Sequence, residues 1–433
     1  MARSMDRRHF LKMAAAGAMA GPLWATGCTT TKKPAPRPAP SERVVLGAIG
    51  LGWQGPENLG KFLSFNDVQV VALCDVDTNH LAKVKGTVDR TYGNTDCAVY
   101  NNFEELLART DLDAVSIALP DHWHAIPAIA AANKGLDIYG EKPISHLLLE
   151  GRAMVNAVEK NKRIWQTGSW QRSVADFHKA AELVRNGRIG KVKYCEVGLF
   201  AGYDDYAGTK DQTAYCPPPP ELDYDRWLGP APEHPYCPAR IHKNWRWVMA
   251  YGGGRIMDWV GHHLDIAHWG LGLDRTGPIA VEGTGVIPPS DGVWDAPPEY
   301  DCVATYEDGL QIHISSKFPG GAKWYGEHGW IHVDRGILEA EPKSILDEAI
   351  GENEIHLYTC RDHFRNFIDC VKTRKETIAP AEVAHRSASV GHLCNIALYT
   401  GRKIRWDSEN EQILNDAAAT DMLSPNYRAP WKL

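Results

Sequence analysis

Val44-Val45-Leu46-Gly47-Ala48-Ile49-Gly50-Leu51-Gly52-Trp53-Gln54-Gly55 is the stretch on which the fold turns. An apolar run of strand length leads straight into Gly50-x-Gly52-x-x-Gly55. In a chain with 39 glycines that spacing alone carries little weight. Context gives it meaning, because a strand precedes it and a helical pattern follows. The glycines then permit a tight turn, a close approach of backbone to a pyrophosphate, and packing of helix on strand. Free amides at the helix start would face the phosphates. Twenty residues beyond Gly55, Asp75 stands at the end of a second apolar run, in Leu73-Cys74-Asp75-Val76-Asp77. A carboxylate there accepts hydrogen bonds from ribose hydroxyls and repels a 2′-phosphate. The expected cofactor is therefore NAD rather than NADP, held by Gly50, Gly52, Trp53, Gln54, Gly55 and Asp75. An unrelated glycine-rich turn would need strand, motif, helix, spacing and acid to coincide by chance.

Outward from this motif, short apolar runs alternate with amphipathic stretches, the pattern of βα units on a parallel sheet. Strands are expected at 44–49, 68–73, 114–118, 137–139 and 163–166, with helices such as 125–134 and 147–160 between them. Residues 42–168 thus read as a doubly wound parallel (Rossmann) domain of ordinary size. After Gly168 the strands lengthen and helices no longer follow each one. Residues 169–433 read as an α+β domain on a largely antiparallel open sheet, with strands at 191–200, 280–286, 301–306, 310–315 and 329–333 and a late helix at 381–399. Between them, residues 203–247 are rich in Pro, Tyr, Trp and Gly, and an irregular insertion of that length reads as a binding loop.

Composition bounds the function. A chain of 433 residues, 44% hydrophobic, buries a large core over two or three domains. Its net charge of −7 comes without a basic stripe, which argues against a nucleic-acid partner. Fifteen Trp and sixteen Tyr include several in loops, where flat rings can stack on sugar faces as well as pack. Ten cysteines show no Cys-x-x-Cys pairing, so neither a disulfide framework nor a zinc knuckle is expected. Residues 1–28 have the layout of a twin-arginine export signal: Arg7-Arg8 and then a weakly apolar run too short to span a bilayer. Ala25-Thr26-Gly27-Cys28 resembles a lipoprotein processing site, with Ala25 where Leu is usual. Plain cleavage and a membrane tether through lipidated Cys28 both stay open. Residues 29–41 form a Pro-rich linker. The expected location is periplasmic.

Two elements carry chemistry. Pro120-Asp121-His122-Trp123-His124 and Glu141-Lys142-Pro143 follow strands at their carboxyl ends, where open parallel sheets bind ligands. Pro120, Asp121, His124, Glu141 and Lys142 should therefore line the nicotinamide end, with the Lys142 ammonium beside the reacting hydroxyl. In Gly252-Gly253-Gly254-Arg255-Ile256-Met257-Asp258-Trp259-Val260-Gly261-His262-His263-Leu264-Asp265, helical spacing puts Asp258, His262 and Asp265 on one face. His262 is the candidate proton acceptor and Asp258 its companion carboxylate. Asp258, His262, His263, Asp265 and His268 are also metal-ligand types. On a helix, however, His263 and His268 turn away from the Asp258/His262 face, so no metal is expected.

These motifs resemble the Gfo/Idh/MocA oxidoreductase family, and its twin-arginine-exported bacterial branch, from about Arg43 onward. The resemblance implies that Glu141-Lys142-Pro143 supplies the catalytic Lys142 and that Asp258 and His262 complete the set. Weaker similarities lie in Gly168-Ser169-Trp170-Gln171-Arg172, Asn244-Trp245-Arg246-Trp247 and Ala384-His385-Arg386. Gln171, Arg172, Asn244, Trp245, Arg246 and Trp247 are the expected substrate contacts, and a homodimer or homotetramer through the open sheet is implied. The expected reaction is hydride transfer between nicotinamide and a carbinol carbon of a sugar, polyol or glycoside, with tightly bound cofactor. The alternatives are a redox-neutral, NAD-assisted glycosidase, a metal-dependent hydrolase, and a non-catalytic sugar-binding protein. An intact Glu-Lys-Pro favours the dehydrogenase.

Overall fold

The computed structural model describes residues 37–289 and 291–433. The expected export signal, Cys28 and the linker up to residue 36 lie outside the described residues. Strands β1 (Val44–Ile49), β2 (Val68–Cys74), β3 (Ala98–Tyr100), β4 (Ala114–Ile117), β5 (Asp137–Gly140) and β6 (Trp165–Thr167) form one sheet in the order β3-β2-β1-β4-β5-β6. Every pairing in it is parallel. β4 is buried along its whole length and β1 nearly so. That is why these strands read as continuous apolar runs rather than alternations. Helices α1 (Gln54–Leu63), α2 (Thr78–Tyr92), α3 (Phe103–Leu107), α4 (Ala125–Asn133) and α5 (Leu148–Lys160) connect the strands. The strand order reverses at β1, between β2 and β4, which opens a crevice at the carboxyl ends of β1 and β4. β3 escaped the sequence reading because its apolar run, Cys97 to Tyr100, is only four residues long and lies at the sheet edge, with Val99 46% exposed.

The second region contains α6 (Ala175–Arg185), β7 (Val192–Gly198), α7 (Tyr224–Leu228), α8 (Gly254–Trp259), α9 (Asp265–Leu271) and the strands β8 (Ala280–Gly285), β9 (Tyr300–Thr305), β10 (Gln311–Ser315), β11 (Gly321–Gly326), β12 (Trp330–Asp334) and β13 (Ile337–Glu341). Then come α10 (His363–Thr373), α11 (Ala381–Thr400), β14 (Ile404–Asp407) and β15 (Gln412–Ile413). The nine strands run β13-β12-β11-β7-β10-β9-β8-β14-β15. Only the β7/β10 pair among them is parallel. Strands here alternate: Ile312 and Ile314 are buried while Gln311 and His313 are not, and Ala322 and Trp324 are buried while Lys323 and Tyr325 are partly exposed. One face is covered by α6, α9 and α11, and the partly polar face is left outward.

Two segments cross the boundary drawn at residue 168. α10 returns to the first sheet, where Phe367 and Ile368 join Val44, Leu46, Phe62 and Tyr139 in one apolar cluster. Residues 169–433 are therefore not confined to the second domain. The insertion after β7 has its own small core, including Trp227, Ile241, Trp245 and Tyr251. It docks on the first domain through backbone bonds, Thr78 N–H to Glu221 O at 2.9 Å and Asp223 N–H to Val76 O at 3.0 Å. Among the described residues no helix is long and apolar enough to cross a membrane.

Candidate active site

A cleft of about 370 Å³ runs from the glycine turn to the end of α8 and the turn after it. At its first end, the three glycines have separate reasons. Gly50 has φ +88°, and a Cβ there would lie 2.2 Å from the Ala118 carbonyl oxygen. A Cβ on Gly55 would lie 1.9 Å from the Gly50 carbonyl oxygen, so only glycine lets α1 start this close to β1. At Gly52 a Cβ would meet nothing nearer than His80 at 3.5 Å. The protein gives no reason for glycine at that position, which suits a backbone kept bare for a pyrophosphate. The residues present thus fit a dinucleotide.

Asp75 lies at the end of β2, where the sequence placed it. Its Oδ2 accepts from Leu51 N–H at 2.6 Å and its Oδ1 from Asp77 N–H at 2.8 Å, so the carboxylate also pins the turn. His80 lies 3.8 Å from Asp75, and that carboxylate raises the imidazole's pKa. Asp77, His80 and His242 bring ligand-type atoms within 4.8 Å of one another beside it, and Asp77 Oδ1 also caps α2.

Trp53, 41% exposed in the glycine turn, is clasped by the insertion. Tyr206 lies 5.1 Å from its ring, Lys243 Nζ 4.7 Å and Arg246 Cζ 5.0 Å. The second domain therefore reaches across the cofactor end of the cleft.

The other end gathers the three residues expected to do chemistry. Lys142 Nζ donates to the Asp258 carbonyl at 2.6 Å and to Asp258 Oδ1 at 3.0 Å. Arg246 Nε donates to the same Oδ1 at 3.0 Å. Burial opposes charge on Asp258, yet the two cations hold its carboxyl well below the usual carboxylate range. Close approach depends on Gly261, where a Cβ would lie 2.9 Å from Lys142 Cβ. Glu141 is buried and accepts from Asn58 Nδ2 at 2.9 Å, which ties the Lys142 turn to α1. Burial raises the Glu141 pKa, with Asn58 and Lys142 opposing.

His262 is 5% exposed and lines the cleft between Trp170 and Trp259. Burial first, then the Lys142 and Arg335 charges, push its pKa well below the ordinary imidazole value. Its Nδ1 has no hydrogen-bond partner among the described residues. A neutral imidazole in the wall of the cleft beside an ammonium can take a proton from a hydroxyl that the ammonium holds, on a ring nitrogen that reaches the cleft rather than on the buried Nδ1.

The helix carrying the pair is not continuous. Residues Val260–Leu264 form a π turn between α8 and α9. Asp265, expected on the Asp258/His262 face, instead receives Arg172 Nε at 2.6 Å and Nη2 at 2.9 Å. This moves Arg172 out of the expected substrate set, because it is 2% exposed and its remaining reach goes to Asp274 at 2.7 Å. His263 Nδ1 accepts from Gly321 N–H and His268 meets Tyr306, both away from the cleft.

Three other expected substrate contacts also lie outside the cleft. Gln171 is 1% exposed and accepts from Arg335. Asn244 is fully buried, donating to Asp205 Oδ1 at 2.8 Å and so bracing the insertion. Trp247 is fully buried, with Nε1 donating to Asp204 O at 2.9 Å. Trp245 and Arg246 do line the cleft, with the guanidinium 4.4 Å above the indole.

Among the expected cofactor contacts, Gln54, Pro120 and Glu141 line the cleft. Asp121 and His124 sit behind it. Asp121 is 3% exposed, and burial pushes its pKa well up. His124 sits between Leu119 O and Pro143 O, its ring nitrogens 2.8 and 2.7 Å from them, and as a neutral ring donates to one of the two, bracing the turn that carries Lys142. Sequence reasoning missed Asn58, Tyr206, His242, Lys243, Trp259 and Arg335, which all line the cleft. It also passed over Trp170, although Gly168 to Arg172 had been singled out.

Comparison with known proteins agrees with this layout. An oxidoreductase family's NAD-binding Rossmann fold matches residues 44–169, and the same family's C-terminal alpha/beta domain matches residues 173–433. A glycosyl hydrolase family 109 protein of Shewanella pealeana is 30% identical over 214 residues, 45% of this chain and 46% of its own length. The 2,7-anhydro-N-acetylneuraminate hydratase of Mediterraneibacter gnavus is 28% identical over 148 residues, 34% of this chain and 37% of its own length. The chain thus spans less than half the length of these curated relatives. Among solved structures, the aldose-aldose oxidoreductase of Caulobacter crescentus, complexed with glycerol, superposes with a TM-score of 0.60 at 19% identity, covering 84% of this chain and 99% of its own. The WlbA dehydrogenase of Bordetella pertussis, in complex with NADH and UDP-GlcNAcA, gives 0.60 at 16% identity, covering 84% and 99%.

Proposed function

The chain belongs to the Gfo/Idh/MocA oxidoreductase family, and from that premise we propose that it is an NAD-dependent dehydrogenase acting on a carbinol carbon of a sugar, polyol or glycoside. The observation that carries the reading is the meeting of Lys142, Asp258 and His262 in the cleft that begins at the glycine turn. NAD bound along that cleft supplies a hydride acceptor. An ammonium has three N–H donors, and two of those on Lys142 are committed to Asp258. The third is available to the substrate oxygen, where it steadies negative charge as the proton leaves. His262, held neutral by burial and by the Lys142 charge, receives that proton. Asp258 stays ionised and fixes Lys142 and Arg246 in place. The clasp over Trp53 favours a tightly held cofactor, which suits an enzyme exported already folded. The reading includes a periplasmic location and a dimer or tetramer formed through the outward face of the second sheet.

A second reading has an observation of its own, the partial similarity to glycosyl hydrolase family 109 proteins. There the same oxidation would be transient, acidifying a neighbouring C–H so that the aglycone is eliminated without net redox change. One experiment separates the two. Purified protein is denatured and released NAD is measured, then sugars and aryl glycosides are followed for NADH and for free aglycone. The dehydrogenase predicts NAD release and net NADH. Aglycone release without NADH overturns it.

A further inference from the structure

The charges at the catalytic end of the cleft do not balance. Lys142 and Arg246 share the single Asp258 carboxylate. Arg335 stands in the turn between β12 and β13, its guanidinium 4.7 Å from the ring centres of both Trp170 and Trp259, and it lines the cleft with His262. Its Nε donates to Gln171 Oε1 at 3.3 Å, and among the described residues no carboxylate lies within 4.0 Å of it. The adjacent Asp334 faces His263 at 3.3 Å instead. Glu141 is buried against Asn58, and Asp75 and Asp77 sit at the other end beside β2. Lys142 and Arg335 therefore both act on His262, where the opposing carboxylate is Asp258, already shared between Lys142 and Arg246, and an oxidised nicotinamide adds positive charge. A neutral sugar leaves that field uncompensated.

We propose that the substrate is an anionic sugar, a uronate or a sugar phosphate, and that Arg335 is the specificity-determining residue that receives its anionic group. The inference deepens the dehydrogenase reading and rests on it for the orientation of the sugar. Stacking on two indoles holds the planar fork ready, so little freedom is lost when it grips two oxygens of a carboxylate or phosphate. His262 is two ring contacts away, through Trp259 at 5.4 Å. A sugar seated by its anionic group at Arg335 therefore presents its ring hydroxyls to Lys142 and His262.

The test measures binding rather than turnover. NAD-loaded protein is titrated calorimetrically with glucuronate, glucose 6-phosphate and glucose. At least one anionic sugar is expected to bind tenfold or more tightly than glucose, and the preferred one names the anion. Arg335→Gln, in an exposed hairpin turn, should weaken that ligand about 10- to 100-fold, the range for a lost charge-assisted pair. Arg335→Lys should recover part of the loss, and 0.5 M salt should weaken the wild type. NAD content should not change. Equal affinity for glucose and both anions, or an Arg335→Gln variant that binds like wild type, overturns the proposal. If a uronate binds through Arg335 but no sugar yields NADH, the dehydrogenase reading fails and this one stands. If neutral sugars yield NADH with no preference for anions, the reverse holds.

Discussion

Arg172→Met separates a structural reading of Arg172 from the substrate-binding reading suggested by its motif. The substitution removes a guanidinium that meets both Asp265 oxygens and one of Asp274, within 2.9 Å in each case. Arg172 and Asp265 side chains are each 2% exposed, whereas Asp274 is 24% exposed and can regain water. Leaving one buried carboxylate without its partner costs about 3–5 kcal/mol, and the partial exposure of Asp274 favours the lower half of that range. The folded body spans roughly 400 residues. At about 2.1 cal/mol/K of unfolding entropy per residue it loses roughly 0.8 kcal/mol of stability per degree near its midpoint. A loss of about 3–4 kcal/mol therefore lowers the midpoint by about 4–5 °C. Asp265 already has a pKa raised by burial, with Arg172 opposing the rise. Without Arg172 the rise grows, so the folded variant takes up a proton the unfolded chain does not, and its deficit shrinks as pH falls. Scanning calorimetry at pH 8 and pH 5.5, with bound NAD measured alongside, reads all of this. A wild-type midpoint together with lost sugar binding would refute the reasoning and return Arg172 to the substrate site.

Other outcomes follow from the same contacts. Lys142→Ala should retain NAD and lose turnover by about 10²–10³-fold, as for one donor to a developing oxyanion; near-wild-type turnover removes Lys142 from the mechanism. Gly55→Ala would put a Cβ 1.9 Å from Gly50 O, so α1 must shift off the turn. NAD retention after gel filtration should fall sharply, and full retention would mean the turn does not hold the pyrophosphate. Burial keeps His122 and His392 at about 3 and His124, His146, His268 and His363 at about 4. Since these folded-state values lie below the unfolded 6.5, stability is present above pH 6.5 and is lost as pH falls. Each group contributes up to about 1.4 kcal/mol per pH unit, opposed by Glu150, which burial raises to about 7. The melting midpoint should drop steeply below pH 6, and a flat profile from pH 7 to 5 would contradict the buried neutral assignments.

What the sequence made legible was local. The glycine turn, Asp75 and the Glu141-Lys142-Pro143 turn each follow a strand directly, so their place at the sheet's carboxyl edge follows from chain order. Asp258 and His262 were found because a four-residue spacing survives into the π turn, and Asp265 was misplaced because that turn alters helical phase beyond it. In the stretch Trp170-Gln171-Arg172, tight 3-10 winding exposes Trp170 and buries its two neighbours, a choice that residue type alone does not reveal. Arg335 lies in a short hairpin turn after a strand in the second sheet, and only the sheet's closure on Trp170 and Trp259 brings it to the cleft. α10 looked like part of the second domain because nothing in its amphipathic pattern says which sheet its apolar face meets.

The central claim is that hydrogen moves between a substrate carbinol carbon and a nicotinamide lying beside Lys142 and His262. Its most direct measurement uses a turned-over sugar carrying deuterium at the oxidised carbon, followed by mass spectrometry of the cofactor released on denaturation. The account predicts one deuterium on the nicotinamide ring and none on the adenosine half, with the label absent in the Lys142→Ala variant. Turnover of the labelled sugar with an unlabelled cofactor would contradict it.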